Sequence, residues 1–327
     1  MATRSGSGGG ALPVVDLAPV LFAAGKVDAA ARARATEAVR EACVATGFFR
    51  VVNHGVPREL MASALKLSAA FFALSDEEKA KVRPAEGLSS APLPAGYARQ
   101  PAHSADKNEY LLVFSPKLLL NLQYPAEPAG FRDALEECYA KLTDLGLLIQ
   151  DILNDCMGLP PGFLAEYSAD RNFDFLAALR YFPATSAEET NGISAHEDAN
   201  LVTFVLQDGV GGLEVLDGDG WIPAEPVEGS IIANIGDIVQ VLSNNKFKSA
   251  THRVVRRPAA HRHSLAFFFN LHGDKWVEPL PEFAGNVGEL PQYRGFKYGE
   301  YMQLRMRNKT HPPSRPEDVI HITHYAI

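Results

Sequence analysis

The chain has 327 residues, 46% of them hydrophobic, which is ample material for one large domain or two small ones. A formal net charge of −8 argues against a nucleic-acid partner, because a phosphate backbone is gripped by clustered Lys and Arg. No apolar run is long enough to span a bilayer, and Cys43, Cys138 and Cys156 have neither the even number of a disulfide framework nor the spacing of a metal knuckle.

These exclusions point to a cytoplasmic protein with no membrane partner, a monomer or weak homodimer. Residues 1–11 are a Ser/Gly-rich tail, expected to be disordered for want of apolar content. Arg4, Ser5 and Ser7 suggest a short transit peptide as the competing reading, but patterned sequence begins at Pro13 and leaves no cleavable length. Residues 12–17 read as a short strand, and 27–46 as a helix of strong helix formers stopped by Gly47. Phe48 to Val52 is a β-type run, followed by a turn at 53–57. Residues 58–74 are helical, with Leu60, Ala64, Leu67 and Phe71 on one face. Ser75 begins a capping pattern that opens another helical turn. A long irregular loop is expected over 84–103, and a strand over 108–114.

Residues 129–157 carry Phe131, Leu135, Cys138, Leu142, Leu145, Ile149 and Ile152 at helical spacing, one long amphipathic helix ending at Gly158. From Phe175 the texture changes to short β-rich runs. Strands are expected at 201–206, 212–216, 231–235, 252–255 and 263–271, with turns at Asp208-Gly209, 217–220 and Asn244-Asn245. A helix over 298–308, a Pro-rich turn over 310–316 and an alternating, strand-like 320–325 complete the chain. The pattern predicts an α+β protein with a mainly β core, a double-sheet jelly roll with packed helices. Its organisation is a tail (1–11), an N-terminal region (12–125) and a support helix with catalytic core (126–327), folded as one compact unit.

The chemistry concentrates between residues 196 and 264. His196 and Asp198 stand two apart, so on an extended strand both side chains point to one side while Glu197 faces away or toward a substrate. His252 opens a new strand after a turn and is the best third ligand. Two imidazoles and a carboxylate make the facial triad that holds ferrous iron with open positions. Arg262 and Ser264, again two apart, aim a guanidinium and a hydroxyl at one place, a clamp for a carboxylate. Taken singly, a His-x-Asp pair is most often surface or cap chemistry and Arg-x-Ser says less still. Their order on successive predicted strands is what joins them. His54 suits a structural role at a strand end, and the remaining histidines have no partner at ligand spacing.

In these motifs the chain resembles the iron(II)/2-oxoglutarate-dependent dioxygenases, in particular their plant branch, with relatives such as aminocyclopropane-carboxylate oxidase and isopenicillin N synthase. The resemblance runs from Pro13 to about Phe283. It rests on LPVVDL at 12–17, GFFRVVNHGVP at 47–57, GGLEV at 211–215, NIGD at 234–237 and LSNNKFKSATHRV at 242–254, besides the ligand and Arg-x-Ser motifs. It implies a double-stranded β-helix with iron held by His196, Asp198 and His252. It also implies 2-oxoglutarate chelating the metal with its far carboxylate on Arg262 and Ser264, and O2 consumed with ascorbate in support. A small organic molecule, such as a plant specialised metabolite or hormone, would be hydroxylated or desaturated, yielding succinate and CO2.

Alternation along the Arg262 strand predicts that Ala266, Phe268 and Asn270 face the interior. Phe268 is as readily a core residue by pattern alone, and the resemblance favours a substrate role. The resemblance likewise suggests Tyr110, Leu112 and Glu197 as pocket residues. Two departures stand out. Where relatives carry Tyr before Pro183, this chain has Phe182, so either Tyr181 replaces it through a shifted backbone or Arg262 and Ser264 act alone. Moreover, isopenicillin N synthase and the aminocyclopropane oxidase keep Arg-x-Ser without using 2-oxoglutarate. The motif therefore leaves open an iron oxidase that does not use that cosubstrate, and the third alternative is a non-catalytic jelly-roll binder.

Overall fold

The computed structural model describes residues 10–21, 29–84, 95–115, 124–285, 289–310, 315 and 318–327. Nearly all of the expected tail and much of the loop at 84–103 and the turn at 310–316 lie outside the described residues. The N-terminal part runs β1 (Val14–Asp16), α1 (Ala18–Leu21), α2 (Ala29–Ala45), β2 (Phe48–Val52), α3 (Arg58–Ala73), α4 (Asp76–Ala80), β3 (Gly96–Arg99) and β4 (Asn108–Phe114). Helices α5 (Phe131–Cys156) and α6 (Phe163–Tyr167) follow. Next come β5 (Phe175–Tyr181), β6 (Asn191–His196), β7 (Val202–Gln207), β8 (Leu213–Asp217), β9 (Gly220–Pro223) and β10 (Ile231–Ile235). The chain closes with α7 (Asp237–Leu242), β11 (His252–Val255), β12 (Arg262–Phe269), β13 (Trp276–Val277), β14 (Phe296–Lys297) and α8 (Tyr298–Thr310). No helix among the described residues is long and apolar enough to cross a membrane.

Eight strands form one sheet in the order β1-β2-β10-β7-β12-β5-β4-β3, and four form a second in the order β6-β11-β8-β9. Period-2 alternation divides β12 cleanly. Leu265, Phe267 and Phe269 join the core under the helices, whereas Ala266 and Phe268 belong to a second apolar cluster between the sheets. Leu213, Val215 and Val254 of the smaller sheet belong to that inner cluster too, so the core is a two-sheet jelly roll. Helix α5 backs the large sheet: Tyr139 meets Phe267 edge-on at 5.1 Å. Gly146 lets the helix seat against Phe269, where an added Cβ would come within 2.5 Å of that ring.

Two local features position the strands that matter. Ser75 caps α4 by accepting the backbone N–H of Glu78 at 3.2 Å, as its sequence pattern predicts. Gly47, at φ +73°, ends α2 where an added Cβ would lie 1.9 Å from the Lys248 carbonyl, so only glycine admits this close approach. Lys248 in turn donates to the Cys43 carbonyl at 2.8 Å, which docks the segment leading to His252 onto α2.

The expectations need correction in three places. The loop at 84–103 contains strand β3, paired with β4. Strands β6 and β9 and helix α7 carry too few patterned residues to be read singly. The alternating stretch 320–325 is no strand: residues Ile322–Tyr325 form a 3-10 turn. The buried Ile322 and Tyr325 lie three residues apart, a spacing that such a turn brings to one side, and Tyr325 stacks on Phe296 at 4.1 Å.

Candidate active site

Strand β6 ends at His196 and β11 begins at His252, and the two are direct cross-strand partners with rings 4.3 Å apart. Each imidazole has Nδ1 against a backbone carbonyl, His196 on Ser194 at 2.8 Å and His252 on Ala250 at 3.1 Å. A carbonyl only accepts, so both Nδ1 atoms carry the proton and each ring presents Nε2 as its metal-ligating atom. Asp198 is buried and its Oδ2 accepts from Thr203 Oγ1 at 2.6 Å and Asn234 Nδ2 at 2.8 Å. That leaves Oδ1 facing the two Nε2 atoms, 3.7 Å from each.

Donor atoms of the three residues lie within 4.8 Å of one another. Burial pushes the Asp198 carboxyl up, but the two imidazoles and the Thr203 and Asn234 hydrogen bonds outweigh it and hold it below the usual carboxylate range. Two imidazole nitrogens and a carboxylate oxygen are the donor set that fits ferrous iron with open positions. Strand pleating is not what aims Asp198, since β6 stops at His196. The turn beyond it is pinned instead: Asp237 N–H donates to the Asp198 carbonyl at 2.8 Å. At Gly236 an added Cβ would lie 2.2 Å from the Asn200 carbonyl and 2.7 Å from that of Asp198.

At the start of β12, Arg262 is 2% exposed, and it donates through Nη1 to Ser264 Oγ at 3.2 Å and through Nη2 to Gln207 Oε1 at 3.0 Å. Its buried Nε has no hydrogen-bond partner among the described residues. The Asp208 carboxylate acts on this guanidinium electrostatically, and a buried guanidinium with a donor to spare is chemically suited to an anion. Tyr181, the direct partner of Arg262 across β5 and β12, lies with its ring 4.9 Å from the guanidinium. Burial raises its phenol pKa while Arg262 and Ser264 act to lower it. Phe182 turns away, edge-on to His261 at 6.1 Å and against Arg180 at 5.4 Å. Plain alternation along β5 therefore puts Tyr181 beside the clamp. Gln207 escaped the sequence reading, although it pairs with Ser264 across β7 and β12.

Between the metal trio and the clamp the inner cluster is apolar, with Leu112, Phe175, Ala177, Leu179, Val215 and Ala266 among its members. Phe268 stacks on Phe175 at 4.4 Å and 20°, and Phe114 meets Phe175 at 5.9 Å. Tyr110, on the same face of β4 as Leu112, is packed against this cluster. Phe48 meets the His252 ring edge-on at 5.1 Å. Phe48 and Phe175 were read from the sequence only as strand residues.

Residues 173–271 match the family model of the 2OG-Fe(II) oxygenase superfamily. Residues 12–119 match that of the non-haem dioxygenase in morphine synthesis N-terminal region. A rice protein (Oryza sativa subsp. japonica), 2-oxoglutarate-dependent dioxygenase 19, is 31% identical over 96% of this chain and 91% of its own length. The chain belongs to the 2OG-Fe(II) oxygenase superfamily. This oxygenase is also 29% identical to 1-aminocyclopropane-1-carboxylate oxidase 5 of Arabidopsis thaliana, over 92% of this chain and 96% of the relative. The crystal structure of JOX2 in complex with 2OG, Fe and JA superposes with a TM-score of 0.81 at 29% identity, covering 98% of this chain and 90% of that one. The protein is a dioxygenase whose cofactors are iron(II) and 2-oxoglutarate.

Two of the oxygenase's expected pocket residues need correction. Asn270 lies beyond the end of β12, fully buried, and its backbone N–H donates to Asp174 Oδ1 at 2.7 Å. Its Nδ2 donates to the carbonyls of Phe173 and Phe268, and its Oδ1 accepts from the Tyr298 hydroxyl. Both polar atoms of its side chain thus have partners within the fold, and the residue ties off the strand. Glu197 is similarly committed. Its carboxylate accepts from Thr251 Oγ1 at 2.5 Å and His321 Nδ1 at 2.8 Å, with Arg305 at 3.8 Å. Burial raises its pKa, but these donors and cations outweigh it and keep it below the usual range.

Proposed function

We propose that this oxygenase hydroxylates or desaturates a small, largely apolar organic metabolite, with 2-oxoglutarate converted to succinate and CO2, and that it works in the cytoplasm. The observation that carries the reading is Arg262, a buried cation whose Nε has no hydrogen-bond partner among the described residues, on the same inner face as the aromatic stack of Phe175 and Phe268. His196, Asp198 and His252 would hold the iron. Iron with its cosubstrate and O2 supplies the oxidising power for an unactivated C–H bond.

The chain's own residues do the rest. Asp198 stays ionised in the buried site through Thr203 and Asn234. Arg262, Ser264 and Tyr181 take the far carboxylate of 2-oxoglutarate and so set its orientation. Phe268, with Tyr110 and Leu112, belongs to the apolar inner cluster, a face that would orient a flat substrate and keep water from the reacting carbon. The test is purified protein with iron(II), ascorbate and 2-oxoglutarate against a metabolite extract, with product and succinate quantified together. Succinate rising in step with a new product supports the reading. Full turnover without added 2-oxoglutarate, and no succinate, would instead leave Arg262 to a carboxylate of the substrate itself.

A further inference from the structure

Glu197 lies between two of the metal ligands in sequence, yet its carboxylate is engaged elsewhere. Oε1 accepts from Thr251 Oγ1 at 2.5 Å, the residue directly before His252, so one side chain bridges the segment carrying His196 and Asp198 to the segment carrying His252. From the C-terminal segment, His321 Nδ1 lies 2.8 Å from Oε2, and Arg305 of α8 donates to the Glu197 carbonyl. Arg305 also donates to the Ile320 carbonyl at 3.2 Å, and Asn308 exchanges two hydrogen bonds with Ile320, which locks that segment to the helix. A second tie runs in parallel: Tyr301 of α8 donates to Asp237 Oδ2 at 2.5 Å, and Asp237 N–H holds the Asp198 carbonyl.

The sheet alone does not fix this register. His252 pairs with His196, but Val254 pairs with Ile193, so the β6–β11 ladder slips by one residue directly beside the ligands. A bulge of that kind leaves local hydrogen bonding incomplete and needs other contacts to set the spacing. Groups that hold metal ligands without touching the metal are worth roughly ten- to a hundredfold in affinity.

We propose that Glu197 is a positioning residue, clasping the two ligand-bearing segments through Thr251 and anchoring them to Arg305 and His321, so that the C-terminal segment is part of the metal site's frame. The proposal rests on His196, Asp198 and His252 as the ligands. Its test is anaerobic titration of iron(II), and separately cobalt(II), into the full chain and its variants, with 2-oxoglutarate affinity measured at saturating metal. Glu197→Ala and Arg305→Ala each weaken metal affinity by roughly tenfold or more. The Glu197→Ala/Thr251→Val double variant is no weaker than the weaker single one, since both remove the same hydrogen bond. Thr251→Val lowers metal affinity and Thr251→Ser restores it, a pair that decides the matter even if the Arg305 variant fails to fold. Affinity for 2-oxoglutarate stays unchanged throughout. Metal affinity unchanged in Glu197→Ala and Thr251→Val overturns the proposal, as do losses that multiply in the double variant or a serine that fails to rescue. Asp198→Ala separates the two levels: full metal affinity there overturns the ligand assignment itself.

Discussion

Replacing Arg262 by Leu removes the buried guanidinium proposed to hold the far carboxylate of 2-oxoglutarate, and the size of the expected loss follows from its surroundings. At 2% exposure, water does not substitute for the missing donors, and the buried Nε has no other hydrogen-bond partner among the described residues. A charge-assisted hydrogen bond contributes about 1.5–3 kcal/mol, and a two-pronged contact about twice that. Arg262→Leu therefore weakens 2-oxoglutarate binding by roughly a hundred- to ten-thousandfold. Ser264→Ala removes one neutral donor worth about 0.5–1.5 kcal/mol, or roughly two- to tenfold. Anaerobic titration of 2-oxoglutarate into the iron-loaded protein, followed by the visible charge-transfer absorption, gives both constants, and succinate yield checks them. Equal losses in the two variants, or near-normal binding in Arg262→Leu, would refute the reasoning, because a buried charge cannot then be what holds the far carboxylate.

Gly236→Ala is expected to cost metal affinity and melting temperature together. Its Cβ would lie 2.2 Å from the Asn200 carbonyl, and the backbone that must yield is the turn that aims Asp198; metal titration and thermal melts measure both. Phe268→Ala should raise the substrate KM several-fold while leaving that for 2-oxoglutarate unchanged, since losing a ring stacked at 4.4 Å costs on the order of 0.5–1.5 kcal/mol beyond lost area. Equal shifts in both constants would make it a packing residue only. Burial pushes the Asp174 carboxyl up to about 6, so the folded state holds its proton more tightly than the unfolded chain. Its contribution is then full below the unfolded value of about 4 and is lost as the pH rises through about 6. Urea unfolding across that window should show stability falling with pH, by less in Asp174→Asn.

The ligand set and the Arg262–Ser264 pair were legible from residues alone, because their chemistry is carried by residue type and their facing by a two-residue period that any strand imposes. The same period placed Tyr110, Leu112 and Phe268 on the inner face, and helical spacing found α5 to within two residues at its N-terminal end. Where the period ran out, so did the reading. Asn270 continues the numerical alternation of β12 but lies past its last residue, Phe269, and distant Asp174 and Tyr298 claim its polar atoms. Asp198 shares a side with His196 only because Thr203, Asn234 and the close turn at Gly236 hold it there. Tyr181 rather than Phe182 meets the clamp because β5 pairs with β12 in one particular register, Tyr181 opposite Arg262. Glu197 looked free for a substrate until Arg305 and His321, more than a hundred residues on, were folded against it. Local periodicity is set by bonds between neighbours and can be read along the chain. Which distant donor satisfies a buried carboxylate, and which register a strand takes against its partner, is decided only when the sheets close and every buried polar group has to find a partner.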